Sequence, residues 1–191
     1  NNALLRVLIC QTQNLDMTLE HLLTKARRHL LEQALAGANQ SAMLDFQAAL
    51  ARQCFINEYV FSQDREETAH ARQLRDAFSD ALDKDTAIKP GHVAMVAAYF
   101  PLTGISSRIL DRSWPDPITA LLVQQVAEPQ EEARLRAGMP QLTPITDSVS
   151  RCVQAQYEEH PYPRWVGAGS WGTALALVLQ HNGLPVTVWG N

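Results

Sequence analysis

The chain has 191 residues, 46% of them apolar, and a formal net charge of −4, which is enough material for one compact core. The only basic run, Lys25-Ala26-Arg27-Arg28, reads as the solvated face of a helix, so a nucleic-acid partner is not expected. Apolar runs such as Ala94 to Leu102 fall far short of the roughly 20 residues of a membrane span, so no membrane partner is expected either.

Ala3 to Cys10 is a short apolar run, read as helix because helices surround it. Asn14 or Asp16 can cap the next helix, which runs to about Ala36 and is stopped by Gly37. Ser41 is placed to cap a third helix reaching to about Phe61. Its Leu44, Ala48, Ala51, Phe55, Tyr59 stripe and its Met43, Phe46, Leu50, Cys54, Phe61 stripe are adjacent, which marks a helix buried on most of its circumference. Arg52, Gln53, Asn57 and Glu58 on it then need internal hydrogen-bond partners.

Asp64 or Arg65 opens a charged amphipathic helix to Asp83. Pro90-Gly91 marks a turn, His92 to Phe100 an apolar helix, and Ile105 to Arg112 a shorter one. Ser113 to Pro117 is a turn before Ile118 to Val126. Glu128-Pro129 opens a helix that Gly138 closes, and Thr143-Pro144 opens the last, where Ile145, Val149, Val153 and Tyr157 recur every four residues. No internal repeat is evident. The three cysteines, Cys10, Cys54 and Cys152, are odd in number and lie in apolar helical contexts. They read as reduced, buried thiols of a cytoplasmic protein. The six histidines are scattered and suggest no metal site, and no catalytic constellation is found.

The last stretch differs in kind. Val166-Gly167-Ala168-Gly169-Ser170-Trp171-Gly172-Thr173 contains G-x-G-x-x-G and leads into an apolar helical run, Ala174 to Leu179. Asn182-Gly183 then stops that helix before the β-type run Pro185 to Trp189. Loop, helix, turn and strand follow in the order of a dinucleotide-binding βαβ unit. Gly167 permits the tight turn, Gly169 lets the backbone approach a pyrophosphate, and Gly172 lets the helix pack near the strand. The phosphates would meet free N–H groups at the positive end of the helix. The strand ahead of the loop is short, because Pro161 and Pro163 cannot serve a central ladder.

These residues resemble the N-terminus of NAD(P)-dependent glycerol-3-phosphate dehydrogenase. The resemblance covers Val166 to Asn191. It implies NAD(P) as cofactor, with Gly167, Ala168, Gly169 and Gly172 on the phosphates and Ser170, Trp171 and Asn191 lining the site. Asn191 stands where the family usually has a basic or imidazole residue. The family's catalytic lysine and substrate domain would lie beyond the point where the chain stops.

A second resemblance covers roughly residues 1–165. It is carried by Ala49 to Phe61, by Gln124 to Pro129, and by Val153-Gln154-Ala155-Gln156-Tyr157-Glu158-Glu159-His160-Pro161-Tyr162-Pro163-Arg164-Trp165. These strings resemble the helical region that precedes the catalytic domain in bacterial tetratricopeptide-repeat-containing, S-adenosylmethionine-dependent methyltransferases. His160 departs from the Asn usual there, and the glycine-rich S-adenosylmethionine loop expected after Trp165 is absent.

The two signatures meet at Trp165–Val166, so the chain reads as a fusion, a truncated product or an assembly artefact in which neither catalytic apparatus is complete. The expected fold is mostly α: a multi-helix array over residues 1–160, then a truncated α/β, Rossmann-like βαβ stub over residues 161–191. The expected ligand is a small-molecule nucleotide.

Overall fold

The computed structural model describes residues 3–11, 16–38, 41–105, 107–138 and 147–159. The βαβ stub expected over residues 161–191 lies outside the described residues. Among the described residues all regular structure is helical: α1 Ala3–Gln11, α2 Met17–Leu35, α3 Leu44–Ile56, α4 Arg65–Asp83, α5 Pro90–Ala97, α6 Asp116–Leu122, α7 Glu128–Gly138 and α8 Ser148–Glu159. Short 3-10 turns occupy Ser41–Met43, Leu102–Gly104 and Ser107–Asp111.

The centre of the fold is α3. It packs against α1, α5 and α6, while α2 and α4 close over α5. Leu50, Ala51 and Cys54 of α3 and Val93, Ala94, Met95 and Ala97 of α5 are completely inaccessible to solvent. Both helices are rich in alanine there, and Gln125 bridges the Ala51 carbonyl of α3 and the Ala97 carbonyl of α5. The expectation of a helix buried on most of its circumference holds for Gln47 through Ile56, with Arg52 part-buried.

Its ends differ from the expectation: α3 spans Leu44–Ile56. Ser41 sits in a 3-10 turn rather than capping α3, and Met43 is 43% exposed. The helix stops at Ile56, because Glu58 and Tyr59 adopt left-handed backbone (φ 50° and 58°) and the Tyr59 N–H bonds back to the Cys54 carbonyl at 2.8 Å. The same closure ends α2 at Gly37 (φ 74°), with Ala38 N–H on the Gln33 carbonyl, and α4 at Asp85 (φ 50°), with Thr86 N–H on the Ala81 carbonyl.

Caps expected at the helix starts are present where a carboxylate can reach. Asp16 accepts from the Leu19 N–H at 2.7 Å and Asp64 from the Glu67 N–H at 2.8 Å. Asn14, the alternative cap, lies outside the described residues. Asp147 accepts from the Ser150 N–H at 2.8 Å at the start of α8, and Thr143-Pro144, expected to open that helix, lie outside the described residues. Pro90 is the first residue of α5 rather than part of a preceding turn.

The helix boundary expected between Val126 and Glu128 is not a break. α6 runs into α7 through a π turn, Val123–Ala127, whose ring is closed by the Glu128 N–H on the Val123 carbonyl. Pro129 supplies the reason: it has no N–H for the Gln125 carbonyl, and its ring would crowd that carbonyl in a regular helix. Widening the turn relieves both problems.

Candidate functional site

The described residues hold two buried polar networks. In the first, Arg27 of α2 is 1% exposed, which overturns its reading as part of a solvated basic face. Its guanidinium donates to Glu67 Oε1 at 3.0 Å and to the Ser62 carbonyl at 2.9 Å. It lies 4.4 Å from the Tyr99 ring centroid and 5.5 Å from that of Phe61. The Tyr99 hydroxyl donates to the same Glu67 oxygen at 2.6 Å. A buried arginine is tolerated because a carboxylate, a carbonyl and two aromatic faces replace its water. Burial, then the bond to Glu67, raises the Tyr99 phenol above its ordinary range. Cys54 beside Arg27 is pushed up to about 12, chiefly by burial.

In the second network, Gln125 of the π turn is fully buried. Its amide donates to the Ala51 carbonyl of α3 at 3.2 Å and to the Ala97 carbonyl at 3.3 Å, and it accepts from the Tyr59 hydroxyl at 3.4 Å. Arg52 donates to Gln124 at 3.3 Å, and Gln53 to Asn57 at 3.1 Å. Arg52 and Gln53 of α3 thus find internal partners, as their burial requires.

Two clefts open on the described residues, the second of them beside the first network. One, of about 280 Å³, lies between the end of α2 and the start of α5 and is lined by Ser41, Leu44, Lys89 and His92 among others. Lys89 donates to the Gly37 carbonyl at 3.2 Å. Burial, then Lys89, holds the His92 imidazole below its ordinary range, against the opposing pull of its bond to the Ala34 backbone. The other, of about 410 Å³, lies where α2 meets the loop before α4, with Thr24, Lys25, Arg28, Asp64 and Glu67 among its lining. Among the described residues no three His, Cys, Asp or Glu side chains are grouped to hold a metal ion, and no helix is long and apolar enough to cross a membrane.

The thiols divide differently from expectation. Cys54 is buried, Cys10 is part-buried, and Cys152 is exposed. α8 presents Val149 and Val153 to solvent at 69% and 45% exposure, so its apolar stripe does not bury Cys152.

The residues expected to bind a dinucleotide, Gly167, Ala168, Gly169, Ser170, Trp171, Gly172 and Asn191, all lie outside the described residues. For them the comparisons with known proteins are the relevant finding. Residues 164–191 match the family described as NAD-dependent glycerol-3-phosphate dehydrogenase N-terminus. Over 26 residues the chain is 73% identical to the glycerol-3-phosphate dehydrogenase [NAD(P)+] of Bacillus thuringiensis (strain Al Hakam). The same figures hold for the enzymes of Bacillus cereus (strain B4264) and Bacillus anthracis (strain CDC 684 / NRRL 3495). Each match takes in 14% of this chain and 8% of the relative. No solved structure matches the chain. The C-terminal segment is therefore similar to a glycerol-3-phosphate dehydrogenase N-terminus. The described helices fall outside that match.

Proposed function

We propose that residues 164–191 form the phosphate-binding part of an NAD(P) site attached to a helical module. The observation that carries this is the 73% identity over 26 residues to dehydrogenases whose name includes NAD(P)+, in a segment containing G-x-G-x-x-G. In this reading the Gly167 to Gly172 backbone donates to the pyrophosphate at the start of the helix, and only glycine at 169 leaves room for it. Ser170 and Trp171 flank the phosphates, and Asn191 meets the adenosine ribose without a charge. Only a few backbone contacts then oppose the entropy of fixing the ligand, at least ~4 kcal/mol, so affinity is modest and dehydrogenation of glycerol 3-phosphate is not expected from this segment alone.

Calorimetry of the full chain with NADH tests this. A dissociation constant of about 1 mM, lost in Gly169→Asp, supports it. Binding that persists unchanged in Gly169→Asp, or no heat at high protein concentration, overturns it.

A second reading concerns the helical part, which resembles the region preceding the catalytic domain of S-adenosylmethionine-dependent methyltransferases. Two of the strings carrying that resemblance are in contact, as packed segments of any helical fold are, and the reading rests on the resemblance itself. Arg52 and Tyr59 of the first bond to Gln124 and Gln125 of the second. On this reading the helices are a non-catalytic module with no cofactor of their own. A parallel titration with S-adenosylmethionine should give no heat, whereas saturable binding would make the module a cofactor site in its own right.

A further inference from the structure

Two side chains from one short stretch hold the end of α2 to the start of α5. Lys89, the residue before α5, donates from Nζ to the Gly37 carbonyl at 3.2 Å. His92, in the first turn of α5, bonds to the backbone of Ala34. That bond favours the charged ring, so the imidazole donates and the Ala34 carbonyl accepts. Gly37 is the left-handed residue that ends α2. Both bonds therefore reach carbonyls at the C-terminal end of that helix.

The setting of His92 suits a neutral ring. It is half-buried in the wall of the cleft of about 280 Å³. It lies where the dipole of α5 is positive, and Lys89 lines the same cleft one turn earlier. The opposite pull, from the end of α2, is the weaker one, because the imidazole is held below its ordinary range. A neutral imidazole has a single N–H, and Ala34 takes it. Protonation adds a second N–H and a charge. Among the described residues lining the cleft, Lys89 is the only charged side chain, and no carboxylate is present. The carboxylates closest in sequence to that lining, Glu32, Asp45 and Asp85, are engaged by Arg28, Arg6 and Arg112.

We propose that this joint is a proton-operated latch. With His92 neutral it is shut, and with an imidazolium the start of α5 parts from the end of α2 and the cleft opens. The sign follows from the setting. A ring that is easier to protonate once released takes up a proton on opening, so acid favours the open form. The effect begins near the ordinary histidine value of about 6.5 and stops growing once the closed form is protonated too. It rests on no reading of residues 164–191.

NMR of the full chain from about pH 8 to about pH 5 tests this. The His92 ring should titrate below the ordinary value. The Gly37 and Ala38 amides close the end of α2 on the Ala34 and Gln33 carbonyls. Their hydrogen exchange, corrected for the intrinsic rate, should quicken with acid by up to about tenfold per pH unit. Amides of α3 such as Leu50 and Ala51 should stay protected. His92→Gln keeps a donor for Ala34 and cannot gain a charge, so it should abolish the quickening. His29, which is also on α2 and bonds to Gln33, is the control, and His29→Gln should leave the quickening in place. A His92 ring that titrates at or above the ordinary value overturns the proposal, whether or not the variants fold. So does exchange at Gly37 and Ala38 that acid does not quicken. Quickening that persists in His92→Gln, disappears in His29→Gln or spreads evenly into α3 overturns it as well.

Discussion

Glu67 stands third in the first turn of α4, three residues after the capping Asp64, yet its carboxylate turns away from the cap and pairs with Arg27 at 3.0 Å. Both side chains are nearly sealed from water, at 4% and 2% exposure. The pair locks α2 to α4, and Tyr99 ties the end of α5 to the same oxygen. Removing one member leaves a buried charge without its partner. Glu67→Ala should therefore lower stability by ~3–5 kcal/mol, whereas Tyr99→Phe should lose only ~1.5–3 kcal/mol. Urea denaturation of both variants checks the order. Equal losses would show that the ion pair adds nothing beyond the hydroxyl bond.

The thiols should separate by burial. Cys54 is fully enclosed and its pKa is pushed up to about 12 by that burial, so no thiolate forms near neutrality. Cys152 is exposed. Alkylation of the native protein should modify Cys152 first and Cys54 only after denaturation. Peptide mapping by mass spectrometry reads this directly, and early labelling of Cys54 would mean that α3 opens readily.

The left-handed residue Glu58 is a reservoir of strain. A side chain in that region costs about 1–2 kcal/mol, and glycine avoids it at an entropic cost of about 0.5–1 kcal/mol. Glu58→Gly should then leave stability unchanged or raise it by up to about 1 kcal/mol. A loss above that size, measured by thermal or urea unfolding, would show that the Glu58 side chain makes a contact worth more than the strain.

Acid should loosen the helix starts. The Asp64 carboxyl is held below its usual range chiefly by the Glu67 N–H it accepts, and Asp147 likewise by the Ser150 N–H. A depressed carboxyl stabilises the fold above its unfolded value, near 3.9, and that contribution disappears as pH falls through the folded value. Stability should thus decline below about pH 4, and Asp64→Asn should flatten that part of the profile. An Asp64→Asn profile parallel to that of the parent chain would remove the cap from the account.

Most helices were legible because apolar residues recur at helical spacing and carboxylates stand at the starts of α2 and α4, whereas the helix expected over Ile105 to Arg112 is only a 3-10 turn at Ser107–Asp111. What was not legible has local causes. Gly37 announced the end of α2, but Glu58 and Asp85 close α3 and α4 with the same backbone geometry and carry no such signal. Arg27 looked like a member of a solvated basic run because only the fold brings Glu67, Tyr99 and Phe61 around it. Pro129 suggested a helix start, and the chain instead kept its helix by widening one turn. Of the candidate sites, the glycine loop was read from its spacing together with the resemblance of the residues around it, and it lies outside the described residues. The cleft at Glu67 was invisible, since its parts come from α2 and from the start of α4, more than thirty positions apart.

The π turn has a consequence for the surface that follows it. An α-helix advances about 100° per residue, so one residue in excess swings every later side chain round the axis by about that angle. Ile118, Leu121 and Leu122 of α6 face the core, and Gln125 anchors the turn itself. Beyond it the phase is reset, and no residue of α7 is buried, Leu135 being 53% exposed. A single continuous rod therefore leaves the core half-way along. Its first half is a wall of the protein interior, and its second is a handle standing in water.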